Sequence, residues 1–338
     1  MTPFSPKATP AQRHKAIGQL VQELSADTRP IILGPFRSEL GFEVSYWIPM
    51  LRWLATKVPK FDQRACVVTR GGLAPLYQHV AARGYDLYAL RSVTEVRREN
   101  LFDQQQTGLL KQMRPTAWDE QVIADTAQAL GLGALYHTVH PAWMYWGLEP
   151  YWADDAGMKY LAAVTDYALL PKPALPEGCP PLPKQFVAVK FYSRATFQYP
   201  HPEIADFVTR TVGVLATQTP VVVLASSGEH DDHSDIACSG PNIISLPADL
   251  PAETNLLWQA AVMSRATAFV GTYGGVAQLA LRLGVPSVSF WKEWGGTAFG
   301  HLALSQWLSK VTKVPFVASS MDDAWLMSQV LTVPKVAA

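Results

Sequence analysis

The sequence predicts a two-domain α/β protein built on parallel sheets. Three observations carry this. The chain has 338 residues, and a domain usually takes roughly 100–200. Residues 170–184 hold Pro171, Pro173, Pro176, Pro180, Pro181 and Pro183. On either side of that stretch, short apolar runs alternate with longer helical ones. Proline fixes φ and lacks an N–H, so the central stretch continues neither a helix nor an inner strand. It is expected to be a semi-rigid linker between an N-terminal domain, 1–169, and a C-terminal domain, 185–338.

From the N-terminus, Ile17, Leu20, Val21 and Leu24 recur at helical spacing, which predicts a packing helix over about 10–25. Strands are then expected at 30–33, 65–69, 86–90 and 134–139. In the second half they are expected at 186–192, 221–225, 242–246, 268–270 and 287–291. Several are β-branched and continuously apolar, as in sheets covered on both faces. Strand–helix alternation implies parallel strands with right-handed crossovers. Two such halves make twin Rossmann-like domains, expected to face one another across a cleft. The segment after Ser319 is expected to pack back on the first domain.

Composition narrows the function classes. Hydrophobic residues make up 49% of the chain, enough for two cores and too much for a disordered chain. Lys+Arg and Asp+Glu both number 28, so the basic excess of a nucleic-acid binder is missing. Cys66, Cys179 and Cys238 are widely spaced and odd in number, which fits free thiols in a reducing compartment rather than a Cys-based zinc motif. The first 13 residues carry no signal-like apolar run, and no segment approaches the roughly 20 apolar residues of a membrane span. A cytoplasmic protein is expected.

Open α/β sheets bind ligands at the carboxyl ends of their strands, so chemistry is sought just after each strand. The strongest signal runs from Val270 through Gly271, Thr272, Tyr273, Gly274, Gly275 and Gln278 to Gly284-Val285-Pro286. A strand ends in glycines and a helix begins. Such a turn lets backbone approach a ligand, and the helix N-terminus favours an anion; an ordinary tight turn has the same pattern. The G-x-G-x-x-G dinucleotide spacing is absent. Lys190 and Arg194 follow the first strand of the second half. They are placed either to neutralise a diphosphate leaving group or as plain solvated charges.

A third signal opens the first half, where Arg37, Glu39 and Glu43 follow the first strand and flank Gly41. A carboxylate there can serve as a general base; it can equally cap the helix or pair with Arg37 or Arg52. Arg70-Gly71-Gly72 follows the second strand and offers an acceptor or phosphate contact, or merely a glycine turn. The stretch from His137 to Trp152, with His140 and Trp143, suits a sugar face or simple aromatic packing. His230-Asp231-Asp232-His233-Ser234-Asp235 has metal-ligand residue types but reads more simply as a solvated loop, so no metal is expected. Asn255 and Gln259, one helical turn apart, are candidates to face a nucleotide.

The run from Val270 to Trp291 resembles the nucleotide-sugar segment of GT-B glycosyltransferases, notably the heptosyltransferase-like families. In that register Tyr273 stands at the family's Asp, Gly274 replaces its Ser/Thr, Gly275 keeps its Gly and Gln278 replaces its His. The first-half segment is similar too. The five-residue gap from Glu43 to Pro49 matches the family's Asp-to-Pro spacing, with Phe42 inserted after the Gly. Together with Thr69–Gly72, His140–Tyr145 and Lys190–Phe197, the pattern also resembles glycosyltransferases of bacterial surface-polysaccharide clusters.

The resemblance implies a GT-B fold and sugar transfer from a nucleotide-sugar donor to a glycan or lipid-linked acceptor in polysaccharide biosynthesis. Fixed cations and helix N-termini can do a metal's work, so no metal or cofactor is expected; the balanced charge leaves no nucleic-acid partner expected, and peripheral contact with the inner membrane is expected where the acceptor is lipid-linked. Lys190, Arg194, Gly271, Thr272, Tyr273, Gly274, Gly275 and Gln278 would hold the donor. Arg37, Arg70, His140 and Trp143 would hold the acceptor. Glu43, or else Glu39, would be the base, with His140 or His137 next in line. A nucleotide-sugar epimerase and a non-catalytic binding module remain as rivals.

Overall fold

A computed structural model gives the fold and describes residues 4–107, 112–194, 197–224, 234–247, 249–293 and 298–324. The chain forms two compact units: residues 1–177 with Leu250–Ala261, and residues 178–249 with 262–338.

In the first unit, α1 (Pro10–Ser25) opens with a capping box. The Thr9 hydroxyl accepts from Gln12 N, the Gln12 side chain accepts from Thr9 N, and Pro10 sits where no helical N–H is needed. The helix buries Ile17, Leu20 and Leu24. Strands β1 (Ile31–Leu33), β2 (Ala65–Thr69), β3 (Arg83–Asp86) and β4 (His137–Val139) form one parallel sheet in the order β3-β2-β1-β4. Every residue of β1 and β2 is buried, as their unbroken apolar runs predict. Between and after them lie α2 (Leu40–Phe42), α3 (Ile48–Lys57), α4 (Phe61–Arg64), α5 (Val93–Thr107), α6 (Ala117–Ala129), α7 (Ala142–Trp152) and α8 (Met158–Ala162). Ile32, Val68, Leu87, Val96 and Val122 pack into one core cluster on this sheet.

One strand lies earlier than predicted. Over 86–90 the chain is a strand only at Asp86, and Leu87–Ala89 is a 3-10 turn. The Asp86 carboxylate accepts from Tyr88 N at 2.9 Å, and this cap turns the chain out of the sheet.

In the second unit, β5 (Val187–Lys190), β7 (Val221–Val223), β9 (Ile243–Ser245), β10 (Ala268–Thr272), β11 (Ser287–Trp291) and β12 (Phe316–Ser320) make a parallel sheet. Its order is β12-β11-β10-β5-β7-β9. A small antiparallel ribbon joins β6 (Tyr192–Ser193) to β8 (Ser234–Asp235). Helices α9 (Pro202–Gln218), α10 (Ala252–Met263), α11 (Gly275–Arg282) and α12 (Ala298–Thr312) complete the order. Val189, Phe191, Phe197, Val208, Val221 and Phe290 share this unit's core. Burying each such side chain contributes roughly 1.5–3 kcal/mol.

Both units are therefore parallel α/β sheets, as the alternation predicts. One placement differs: most of α10 groups with the first unit instead of the second. Of the segment after Ser319, residues 325–338 lie outside the described ones. No helix of the described residues is long and apolar enough to cross a membrane.

Candidate functional site

The strand order points to a candidate ligand crevice in the second unit. Counted along the chain, β5 and β10 begin the two halves of a doubly wound sheet, and they lie side by side. Crossovers leave this pair in opposite directions, which opens a crevice at its carboxyl end. Lys190 ends β5 and pairs with Gly271 in β10. A Cβ on Gly271 would collide with the Lys190 carbonyl, so only glycine lets the strands approach this closely.

Beyond Gly271 each residue has a distinct task. Thr272 is fully buried; its Oγ1 accepts from Tyr192 N at 3.0 Å and donates to Tyr192 O at 3.1 Å. Tyr273 donates its N–H to Phe290 O and sets its ring edge-on to Trp291 and Phe316. These two residues stitch the strand ends together. A Cβ on Gly274 would strike Tyr192 Oη and Arg194 Nη1. From Gly275 the chain becomes α11, and the buried Gln278 closes its first turn by donating N–H to Gly274 O at 3.1 Å. The N–H groups of Gly275, Val276 and Ala277 precede that bond and carry the positive end of the helix dipole.

Arg194 meets this helix start from β6. Its Nη1 donates to Tyr273 O at 3.2 Å, and its Nε is buried with no hydrogen-bond partner among the described residues. His301 on α12 is close enough to feel the guanidinium charge. Burial pushes its pKa down to about 4, and Arg194 pushes the same way, so the imidazole is neutral at neutral pH. Sequence reasoning missed His301, because a lone His on a helix carries no signal. The arrangement can hold an anion: a guanidinium, a helix N-terminus and a side-chain-free Gly274 lie together.

Lys190 does something other than expected. Its Nζ donates to Leu224 O and to Asp235 Oδ2, both at 2.9 Å. Burial lowers its proton affinity and the Asp235 carboxylate opposes that. The ammonium thus ties the ends of β5 and β7 to the ribbon. Of the run His230–Asp235, the first four residues lie outside the described ones, and Ser234–Asp235 form β8. Among the described residues no three His, Cys, Asp or Glu are grouped to hold a metal.

The first unit carries the acidic candidates. Glu43 begins a π-helical turn, Glu43–Trp47, between α2 and α3 and is fully buried. Its Oε1 accepts from Tyr77 Oη at 2.6 Å and from Thr69 Oγ1. Single π turns recur at functional sites because they re-aim side chains. Glu39 is half-buried one step before α2; its carbonyl accepts from Phe42 N and Glu43 N, and its side chain makes no capping bond. Arg52 pairs with Asp166 at 3.4 Å and leaves both acids alone.

Each of the four residues expected to hold the acceptor has partners within the protein. Arg37 is fully buried, with Nε on Asp119 at 2.9 Å, Nη1 on Asn100 at 2.6 Å and Nη2 on Asp103 at 3.2 Å. Its guanidinium also lies over Trp118. Burial would raise the Asp119 pKa, but His140 and Arg37 hold it well below the usual carboxylate range. His140 accepts from Ala142 N through Nδ1 at 3.0 Å, so the ring proton sits on Nε2, 3.3 Å from Asp119 Oδ2. The ring is thus fixed through Nδ1, while Nε2 is buried without a hydrogen-bond partner among the described residues. His137 Nε2 lies 2.9 Å from Asp27. Trp143 packs edge-on against Phe4 and Trp146.

The buried Arg70 donates to Ser38 O. Gly71 and Gly72 have φ of +66° and +79°, and a Cβ on either would press within 3 Å of α10, at Leu256 or at Glu253 O and Leu257. Leu257 N donates to Gly71 O at 2.8 Å. The glycine pair is therefore the seat of α10, which explains why that helix joins the first unit. On α10 the buried Asn255 and Gln259 bond to each other at 2.5 Å.

No family model matches the sequence, and no curated protein matches it. Solved structures do resemble it. One is a glycosyl transferase family 9 protein from Veillonella parvula, 13% identical over 92% of each chain, with a TM-score of 0.45. The E. coli heptosyltransferase WaaC with ADP is 12% identical over 89% of this chain and 99% of its own, with a TM-score of 0.44. The iron-containing dodecameric glycosyltransferase TibC of E. coli is 13% identical over 78% of this chain and 58% of its own, with a TM-score of 0.40.

Proposed function

We propose that this chain is a glycosyltransferase taking its sugar from a nucleotide-sugar donor. The observation that carries the proposal is Arg194, anchored on the Tyr273 carbonyl beside Gly274 at the N-terminus of α11. Sugar transfer expels a nucleoside phosphate or diphosphate, whose bridging oxygen gains charge as its bond to the sugar breaks. A fixed guanidinium and a helix N-terminus stabilise that charge without reorganising. They supply the positive charge that a divalent ion supplies elsewhere, so the proposed reaction needs neither metal nor cofactor.

The acceptor hydroxyl forms the new bond to the sugar and gives up its proton. Glu43 is the proposed base: a desolvated carboxylate binds a proton more tightly than a solvated one, and this one is held by two hydroxyls. The acceptor is a glycan or a lipid-linked glycan, and the setting is polysaccharide biosynthesis at the cytoplasmic side.

Calorimetry with UDP, GDP, ADP and CMP tests the donor site. At least one should bind, and Arg194→Ala should weaken it. Failure of all of them to bind, or equal affinity in the variant, overturns the proposal. Withholding acceptor then separates the rivals: an epimerase consumes donor alone, and a binding module turns over nothing.

A further inference from the structure

We propose that Tyr77 is the positioning residue that holds the Glu43 carboxylate for proton transfer. The inference rests on the reading of Glu43 as the base. Tyr77 ends the 3-10 turn Ala74–Tyr77, just after the Gly71–Gly72 seat of α10. It is fully buried and its hydroxyl donates to Glu43 Oε1 at 2.6 Å. Thr69, the last residue of β2, donates to the same oxygen. Glu43 begins a π turn instead of a regular α-helical one. A phenol and a strand hydroxyl converging on one oxygen fix it from two other elements.

The phenol is suited to that task because it stays a donor. Burial raises its pKa well above the ordinary range, and the Glu43 charge and hydrogen bond raise it further. The other groups bearing on it are Thr69 and the cation of Arg70, and both pull the opposite way. With the proton kept on Tyr77, the hydrogen bond favours the ionised form of Glu43. This donated hydrogen bond opposes the effect of burial on Glu43. Hydrogen bonds to a charged acceptor are strong enough that losing one raises the carboxyl midpoint by on the order of one to two pH units.

The test is a carbon-13 NMR titration of the full chain labelled at the glutamate carboxyl carbons. The Glu43 resonance is assigned by its loss in Glu43→Gln. Tyr77→Phe keeps the ring and removes the donor, and should raise the Glu43 midpoint by about one to two pH units. Thr69→Ser keeps its hydroxyl and should leave the midpoint near wild type. A midpoint unmoved in Tyr77→Phe overturns the inference. Should that variant fail to fold, the wild-type Tyr77 hydroxyl proton decides: it should shift as Glu43 titrates, and an unresponsive resonance overturns the inference. Turnover separates this from the underlying reading. Full activity in Glu43→Gln sinks the base itself, whereas an inactive Glu43→Gln with an unmoved midpoint in Tyr77→Phe sinks only Tyr77's part.

Discussion

Arg194 donates through Nη1 to the carbonyl oxygen of Tyr273 at 3.2 Å, which locks a cation one residue before the Gly274–Gly275 helix start. The anchor uses one of five N–H donors. Replacing Arg194 by Ala is expected to weaken binding of whichever nucleotide the wild type holds by about 1.5–3 kcal/mol, the range for hydrogen bonds to charged groups. Gly274→Ala should weaken the same binding, because its Cβ would displace Tyr192 Oη and Arg194 Nη1. Calorimetry on both variants checks this, and wild-type affinity in both would remove the site.

Lys190 should behave in the opposite way. Its ammonium is committed to Leu224 O and Asp235, so Lys190→Met removes one partner of a largely buried ion pair. The expected outcome is a loss of stability on the order of 3 kcal/mol, read as a lower urea midpoint. Nucleotide affinity, measured well below the unfolding midpoint, should change much less than in Arg194→Ala.

Arg37 gives the same contrast in the first unit. Its three hydrogen-bonded partners are buried, so truncating it to Ala strands two carboxylates in the core. A cost of about 3–5 kcal/mol is expected, enough to lower Tm strongly. A well-folded Arg37→Ala with only a raised acceptor KM would return the residue to the acceptor role.

These cases show what was legible in the sequence. Continuous apolar runs revealed β1, β2 and β7, because burial on both faces demands them. The third strand was displaced because the Asp86 cap is a side-chain event that no apolar pattern records. Strand β12 was missed because Phe316–Ser320 turns polar after three apolar residues. At the site, the glycines after β10 and the cation at Arg194 were visible as residue types. The partners of Lys190 were not: they lie 34 and 45 residues away. Gly71 and Gly72 were visible too, but their cause, α10, comes from the far half of the chain.

Asp86 predicts a pH dependence of stability. Burial raises its pKa to about 6 and the nearby Glu253 charge adds to this, while Gly72 N, Tyr88 N and Arg70 work against it. The folded pKa therefore lies above the unfolded value of roughly 3.9. The folded state binds the proton more tightly, so this stabilisation is full below about pH 4 and is lost as pH rises through about 6. At about 1.4 kcal/mol per pH unit, the loss is on the order of 3 kcal/mol. Asp86→Asn should flatten the slope of unfolding free energy against pH in that window, and Glu253→Gln should shallow it. An unchanged slope in Asp86→Asn would assign the dependence to other groups.

The last prediction separates Glu43 from Glu39. Glu43 is buried under two donated hydroxyls, whereas Glu39 is half-buried and contributes its backbone carbonyl to the start of α2. Glu43→Gln keeps the size and an acceptor oxygen for Tyr77 and Thr69, so the π turn should survive. It removes proton uptake. Loss of a general base costs about 10²–10⁴-fold in rate, and kcat for transfer should fall by that much with nucleotide affinity unchanged. Glu39→Gln leaves its backbone bonds intact and should turn over like wild type. The measurement is nucleoside phosphate released per enzyme in the presence of acceptor. The reverse pattern, a dead Glu39→Gln and an active Glu43→Gln, would move the base to Glu39. Glu43 would then be left as a buried brace between β2 and the Ala74–Tyr77 turn.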